Sequence, residues 1–236
     1  MIGSGKFLSQ LELIELLLKK LGLFGSREKF PNKNTQAADF RGLNYIDVYR
    51  KYINDIAYDF LLVDQSILCF NYKGKDIHDG GLSYSYIESP VSLLSYEAFV
   101  TREFDLDPSN DRYEVDLEEI GDGYYSEYEI YLETLPVKTG VCPIRFDCDA
   151  SSYREGVHPA CHVHIGFEND LRIGTRNVLT PLSFFLFIVR QHYPRAWEKI
   201  RDFDDFGTFR KEVRLEIAQV HNNYWKSRDT DELYLY

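Results

Sequence analysis

The chain has 236 residues, 44% of them hydrophobic and 28% charged, with 18 Tyr, 16 Phe and a net charge of −11. A chain of this length buries a core without metals or disulfides, and an acidic whole argues against non-specific nucleic-acid binding, which depends on neutralising phosphates. The apolar runs Leu11 to Phe24 and Phe184 to Val189 are too short, and the first too charged, to span a bilayer.

In chain order, Leu8 to Leu21 reads as an amphipathic helix, with Leu11, Ile14, Leu18 and Leu21 at 3–4 spacing and Gly22 near its end. Arg27 to Arg41, with Pro31, Asn32 and Asn34, reads as a loop, after which Asn44 caps a second helix carrying Tyr45, Val48, Tyr49, Tyr52 and Ile53. The period then shortens towards two. Strands are expected at Phe60–Asp64, Ser66–Tyr72, Leu82–Glu88, Tyr96–Phe104, Tyr113–Glu118, Tyr125–Leu135, Ile144–Cys148, His162–Phe167 and Leu171–Gly174, with a turn through Lys73–Gly81. Consecutive short strands without intervening helices imply an antiparallel meander. Thr180 and Pro181 then open a buried helix, Pro194 breaks it before Trp197, and Phe206 to Trp225 reads as one long helix before a tail at 229–236 ending Leu-Tyr-Leu-Tyr. The expected fold is a single α+β domain over 1–236: a helical part at 1–57, an antiparallel meander sheet at 58–178 and helices at 179–228, with the N-terminal and C-terminal helices packed on one face.

The charge is uneven. Asp59 to Glu133 holds 18 acidic residues against four basic ones, whereas Val141 to Arg201 holds eight Arg and Lys against six acids and four of the six histidines. A local basic patch on an acidic body suits a specific RNA, a nucleotide or an acidic partner surface. Cys69, Cys142, Cys148 and Cys161 contain no CxxC pair, so structural zinc and disulfides are not expected, and the thiols read as reduced in a cytoplasmic protein.

The chemistry concentrates in Ile144-Arg145-Phe146-Asp147 and His158-Pro159-Ala160-Cys161-His162-Val163-His164. Alternate strand residues share a face, so Arg145 pairs with Asp147 and His162 with His164. If the two strands are neighbours these groups converge, and Pro159 lets His158 fold back towards them. Three chemistries fit. Metal-independent RNA cleavage would use His162 and His164 as acid and base, with His158 assisting, Asp147 orienting a histidine, and Arg145, Arg172 and Arg176 holding phosphate. Metal binding would use His158, His162, His164 and Asp147. Phosphate or nucleotide binding without chemistry would use the three arginines alone. The plain alternative is a solvated strand face. Gly3-Ser4-Gly5-Lys6 lacks the first glycine of a phosphate loop, and strand parity turns Cys161 away from the histidines.

The pattern Arg145-x-Asp147, His158-Pro-x-x-His162-x-His164 and Thr180-Pro-x-x-Phe184 resembles an uncharacterised bacterial family of about this length, a domain of unknown function, mainly over residues 140–200. The Arg-x-Asp and His-x-His layout is also similar to the shorter TumE-like toxins of toxin–antitoxin modules, suspected ribonucleases. The resemblance implies a bacterial origin and a role in conflict or phage defence. The leading expectation is therefore a cytoplasmic toxin-like or defence-associated nuclease needing no metal or cofactor, acting on RNA or another phosphoester. It would work with a protein partner or a second copy and without a membrane. The competing class is a non-enzymatic accessory subunit docking a larger ATPase or nuclease, using the acidic region and the tail as contact surfaces.

Overall fold

The computed structural model describes residues 3–33, 42–72, 81–92, 94, 96–135, 137–168, 171–203 and 206–232. Their contacts divide the chain into two compact units, residues 1–88 with 141–236, and residues 89–140.

The first unit is built on a seven-stranded antiparallel sheet whose spatial order follows the chain: β1 (Phe24–Arg27), β2 (Phe60–Leu62), β3 (Ile67–Tyr72), β4 (Leu82–Ile87), β5 (Ile144–Cys148), β6 (Cys161–Ile165) and β7 (Ile173–Gly174). The protein is α+β with a meander sheet, as its pattern implies. Strand β1, at the sheet edge, lies ahead of the expected loop and shares only Arg27 with it; residues 34–41 of that loop lie outside the described residues. Alternation sorts the side chains. Phe60, Leu68, Phe70, Tyr84, Phe146 and Cys148 belong to the main core, with ring centroids 5.5 Å apart for Phe70–Tyr84 and 5.6 Å for Tyr84–Phe146.

Two helices close that core. Helix α1 (Ser4–Leu21) buries Phe7, Leu11, Ile14, Leu17, Leu18 and Leu21 and ends at Gly22, whose φ of 71° suits a residue without Cβ. Helix α6, Pro181–His192, starts with a capping box between Thr180 and Ser183 and buries Phe184, Phe185, Ile188 and Val189. Buried Gln10 of α1 accepts a hydrogen bond from Leu182 N–H at 3.1 Å, tying the two helices without leaving its amide oxygen unpaired.

Helix α2 (Tyr45–Asn54), capped by Asn44, packs Tyr45, Tyr49, Tyr52 and Ile53 against Ile67, Cys69 and Ile87. By strand parity these belong to the other side of the sheet, so the helices do not all lie on one face. Beyond α6 lie α7 (Pro194–Arg201) and α8 (Phe206–Leu215). The expected long helix from Phe206 stops at Leu215, because Ala218 and Gln219 leave it to pair with Val178 and Asn177 in a separate two-stranded ladder. Helix α9, Ser227–Glu232, occupies the start of the expected tail, and residues 233–236 lie outside the described residues, as do 73–80 of the expected turn. Among the described residues no helix is long and apolar enough to cross a membrane.

The second unit sits in sequence between β4 and β5. It consists of α3 (Tyr96–Glu103), α4 (Tyr113–Ile120) and α5 (Tyr125–Glu133), which corrects the three strands expected there. Tyr favours strands on average, but Tyr125, Tyr128 and Tyr131 recur every three residues, a helical spacing. Tyr128 meets Tyr96 and Phe99 at ring distances of 5.5 and 5.3 Å. A Val91–Val137 bridge joins the two ends of this segment.

A further correction concerns the cysteines. Cys148 and Cys161 face each other across β5 and β6 and are joined as a disulfide, with Cys69 and Cys142 free. Their separation of 13 residues carries no motif; strand register alone opposes them.

Candidate functional site

The sheet face opposite the main core carries a polar row wherever α2 leaves it uncovered. The register runs Asn71–Ser83–Asp147–His162 across β3, β4, β5 and β6, with Ser85–Arg145–His164 as the adjacent row. Arg145 lies opposite His164 and Asp147 opposite His162, so the two pairs separated by a loop in sequence become one cluster.

Its geometry is compact. The Nε2 atoms of His162 and His164 are 3.0 Å apart. Asp147 Oδ2 lies 3.6 Å from His164 Nε2 and 4.0 Å from His162 Nε2. Arg145 Nε donates to Asp147 Oδ2 at 2.7 Å, and Ser83 Oγ donates to Oδ1 at 2.7 Å. His162 Nδ1 is 3.1 Å from the Pro159 carbonyl. A carbonyl only accepts, so Nδ1 carries the proton and Nε2 presents a lone pair to the cluster. The ring of His158 stands 4.9 Å from that of His162, and its Nδ1 is buried without a hydrogen-bond partner among the described residues.

Electrostatics favours neutral imidazoles. Burial and then the Arg145 guanidinium push His164 down to about 4. Burial also lowers His162, with Asp147 pulling the other way, and burial and Arg172 lower His158.

These groups line a cleft of about 400 Å³ together with Asn71, Asp149, Ser152 and Arg172. A neighbouring cleft of about 300 Å³ shares Arg145, His164 and Arg172 and adds the rings of Tyr45, Tyr52 and Phe167. Of the residues singled out by sequence, Arg145, Asp147, His158, His162, His164 and Arg172 therefore meet. Arg176 does not line either cleft; its guanidinium donates to Asn222 Oδ1 at 3.1 Å, beside the β8 ladder (Asn177–Val178 with Ala218–Gln219).

A family model for uncharacterised conserved proteins, DUF2290, matches residues 25–231. The chain belongs to this family. No curated protein and no solved structure matches it.

For this DUF2290 protein the sequence pattern misses several contributors. Ser83 and Asn71 carry no motif and reach the site by register alone; Asn71 Oδ1 is buried beside the cleft without a hydrogen-bond partner among the described residues. Asp229, in the expected tail, is fully buried and accepts bonds from Tyr153 Oη at 2.7 Å and Gly156 N–H at 2.8 Å, so α9 braces the loop that delivers His158. The only sequence signal of Asn71 and Ser83 is polarity among apolar and aromatic neighbours, and Asp229, within a charged run, carries none.

Proposed function

We propose that the protein binds and cleaves a phosphoester, RNA foremost, in a toxin-like or phage-defence role in the bacterial cytoplasm. The observation that carries this reading is the convergence of two imidazoles, a carboxylate and two guanidinium groups in one cleft that opens onto an aromatic one. Arg145 and Arg172 are placed to hold phosphate oxygens. His162 Nε2, left unprotonated by the bond at Nδ1, suits proton abstraction from a hydroxyl that displaces the His164 contact. Tyr45, Tyr52 and Phe167 offer ring faces on which a base can stack. Ser83 and Arg145 hold the Asp147 carboxylate beside both histidines.

The test pairs purified protein with a fluorescent oligoribonucleotide. Wild type is expected to bind it in a salt-dependent way and shorten it. Arg145→Ala with Arg172→Ala should weaken binding by roughly tenfold or more. The double variant His162→Ala/His164→Ala should bind but not cleave, and its expression should spare bacterial growth and RNA integrity where wild type does not. Absence of both binding and cleavage by wild type overturns the reading.

A second reading rests on the segment 89–140, which carries 13 acidic against three basic residues and exposes Ile130, Tyr125 and Val115. Such a surface suits docking to a basic face of a larger protein, such as an ATPase or nuclease.

A further inference from the structure

We propose that Asp147, His162 and His164 hold one divalent first-row transition ion, of the zinc class, between β5 and β6. One ligand atom from each of the three residues lies within 4.8 Å of the other two. A tetrahedral ion bonded to nitrogen and oxygen at about 2.0–2.2 Å keeps its ligand atoms roughly 3.3–3.6 Å apart. The Asp147–His164 edge, at 3.6 Å, already has that length. The His–His edge at 3.0 Å is a few tenths of an ångström short and the Asp147–His162 edge at 4.0 Å a few tenths long, both within reach of small side-chain rotations.

Three independent features point the same way. His162 has its Nδ1 proton on a backbone carbonyl and its Nε2 turned inward, the arrangement that orients a metal-binding imidazole. Asp147 is steadied on its other oxygen by Ser83, so one carboxylate oxygen faces the histidines in a fixed position. The fourth side opens to the cleft, which His158 also lines, its Nδ1 unpartnered among the described residues. Two imidazoles and a carboxylate with an open position suit a zinc-class ion. Without an ion, the short His–His contact rests on a single shared proton. Arg145 is the opposing feature, since its guanidinium takes up Asp147 Oδ2; it is exposed, so water can replace that bond. When bound, the ion would take the His162 Nε2 lone pair and, in place of that nitrogen acting as base, would serve as a Lewis acid towards a phosphoryl oxygen in the cleft.

The inference deepens the phosphoester reading and rests on it for the role of the ion, while ion uptake itself is measured with no phosphoester present. Untagged full-length protein, stripped with EDTA and dialysed, is titrated with Zn²⁺ against a chromogenic chelator, and Co²⁺ uptake is followed by visible absorption. One equivalent is expected to bind. Asp147→Asn and His164→Gln should each weaken binding by roughly tenfold or more, with apo circular dichroism unchanged. The rise in Tm that Zn²⁺ gives wild type should vanish in both. Arg145→Ala should keep its ion while losing phosphoester affinity. Failure to take up zinc at micromolar concentration, or uptake unchanged in both ligand variants, overturns the metal site. Zinc uptake without phosphoester binding leaves the metal site standing and removes the proposed function. Phosphoester cleavage that EDTA leaves intact, without zinc uptake, does the reverse.

Discussion

The two units of the chain solve the problem of burial differently. The sheet unit holds 25 acidic and 24 basic residues, so nearly all of the net charge of −11 belongs to the helical segment 89–140, with its 13 acids and three bases. The sheet unit buries whole aliphatic and aromatic faces against α1 and α6. Among the described residues of α3, α4 and α5 only Phe99 and Val100 are buried, and order there comes from ring contacts and tyrosine hydroxyls, such as Tyr128 Oη on the Leu94 carbonyl at 2.7 Å. Apolar burial contributes far more per residue than partly exposed polar contacts. A precise site therefore belongs on the first unit, where β5 and β6 are backed by the core, and local opening belongs to the second.

Mutation separates the two units most sharply at their apolar residues. Phe184→Ala, fully buried against Phe70 and Tyr84, should cost about 3–5 kcal/mol in urea denaturation. Ile130→Ala, 62% exposed, should change stability by no more than about 0.5 kcal/mol. Equal losses would erase the distinction.

A smaller effect concerns charge within the sheet unit. Glu15 accepts from Lys19 and from Arg27, both at 2.6 Å, linking α1 to β1, and these bonds hold its carboxyl below the usual 4.5. A lowered folded-state value contributes stability above the unfolded value and loses it as pH falls through the folded one. Glu15→Gln should thus cost about 0.5 kcal/mol at neutral pH, and the gap between variant and wild type should close as pH falls below about 4. A gap that stays constant across that range would show that the pair is packing rather than charge.

The smallest expected effect tests the independence of the site. Tyr86 and Ile144 are register partners in β4 and β5, and Cys142 N–H donates to the Glu88 carboxylate at 2.8 Å, so the chain leaves and re-enters the sheet unit at neighbouring points. Replacing residues 90–139 with a short Gly/Ser turn should leave Zn²⁺ and oligoribonucleotide affinities within roughly threefold of wild type. A loss beyond about tenfold in a variant of unchanged circular dichroism would break the separation.

Local pattern reached a long way in this protein. The capping signals at Asn44 and at Thr180-Pro181, the apolar stripe of α1 and the strand Ile144–Cys148 are all short-range facts, because a cap or a face repeats within a few residues. The same parity paired Arg145 with Asp147 and His162 with His164. Pattern misled where residue type and spacing disagreed, as in the tyrosines of α3 to α5, and where a distant strand captured the chain, as at Ala218 and Gln219. Tertiary structure alone decided that β5 lies beside β6, that Ser83 and Asn71 join the row, that Cys148 opposes Cys161, and that Asp229 reaches back to Tyr153. Each of those contacts depends on register or docking between segments separated by 12 to 76 residues. Periodicity places a side chain on a face of its own element; what that face meets is set by the packing of the whole core.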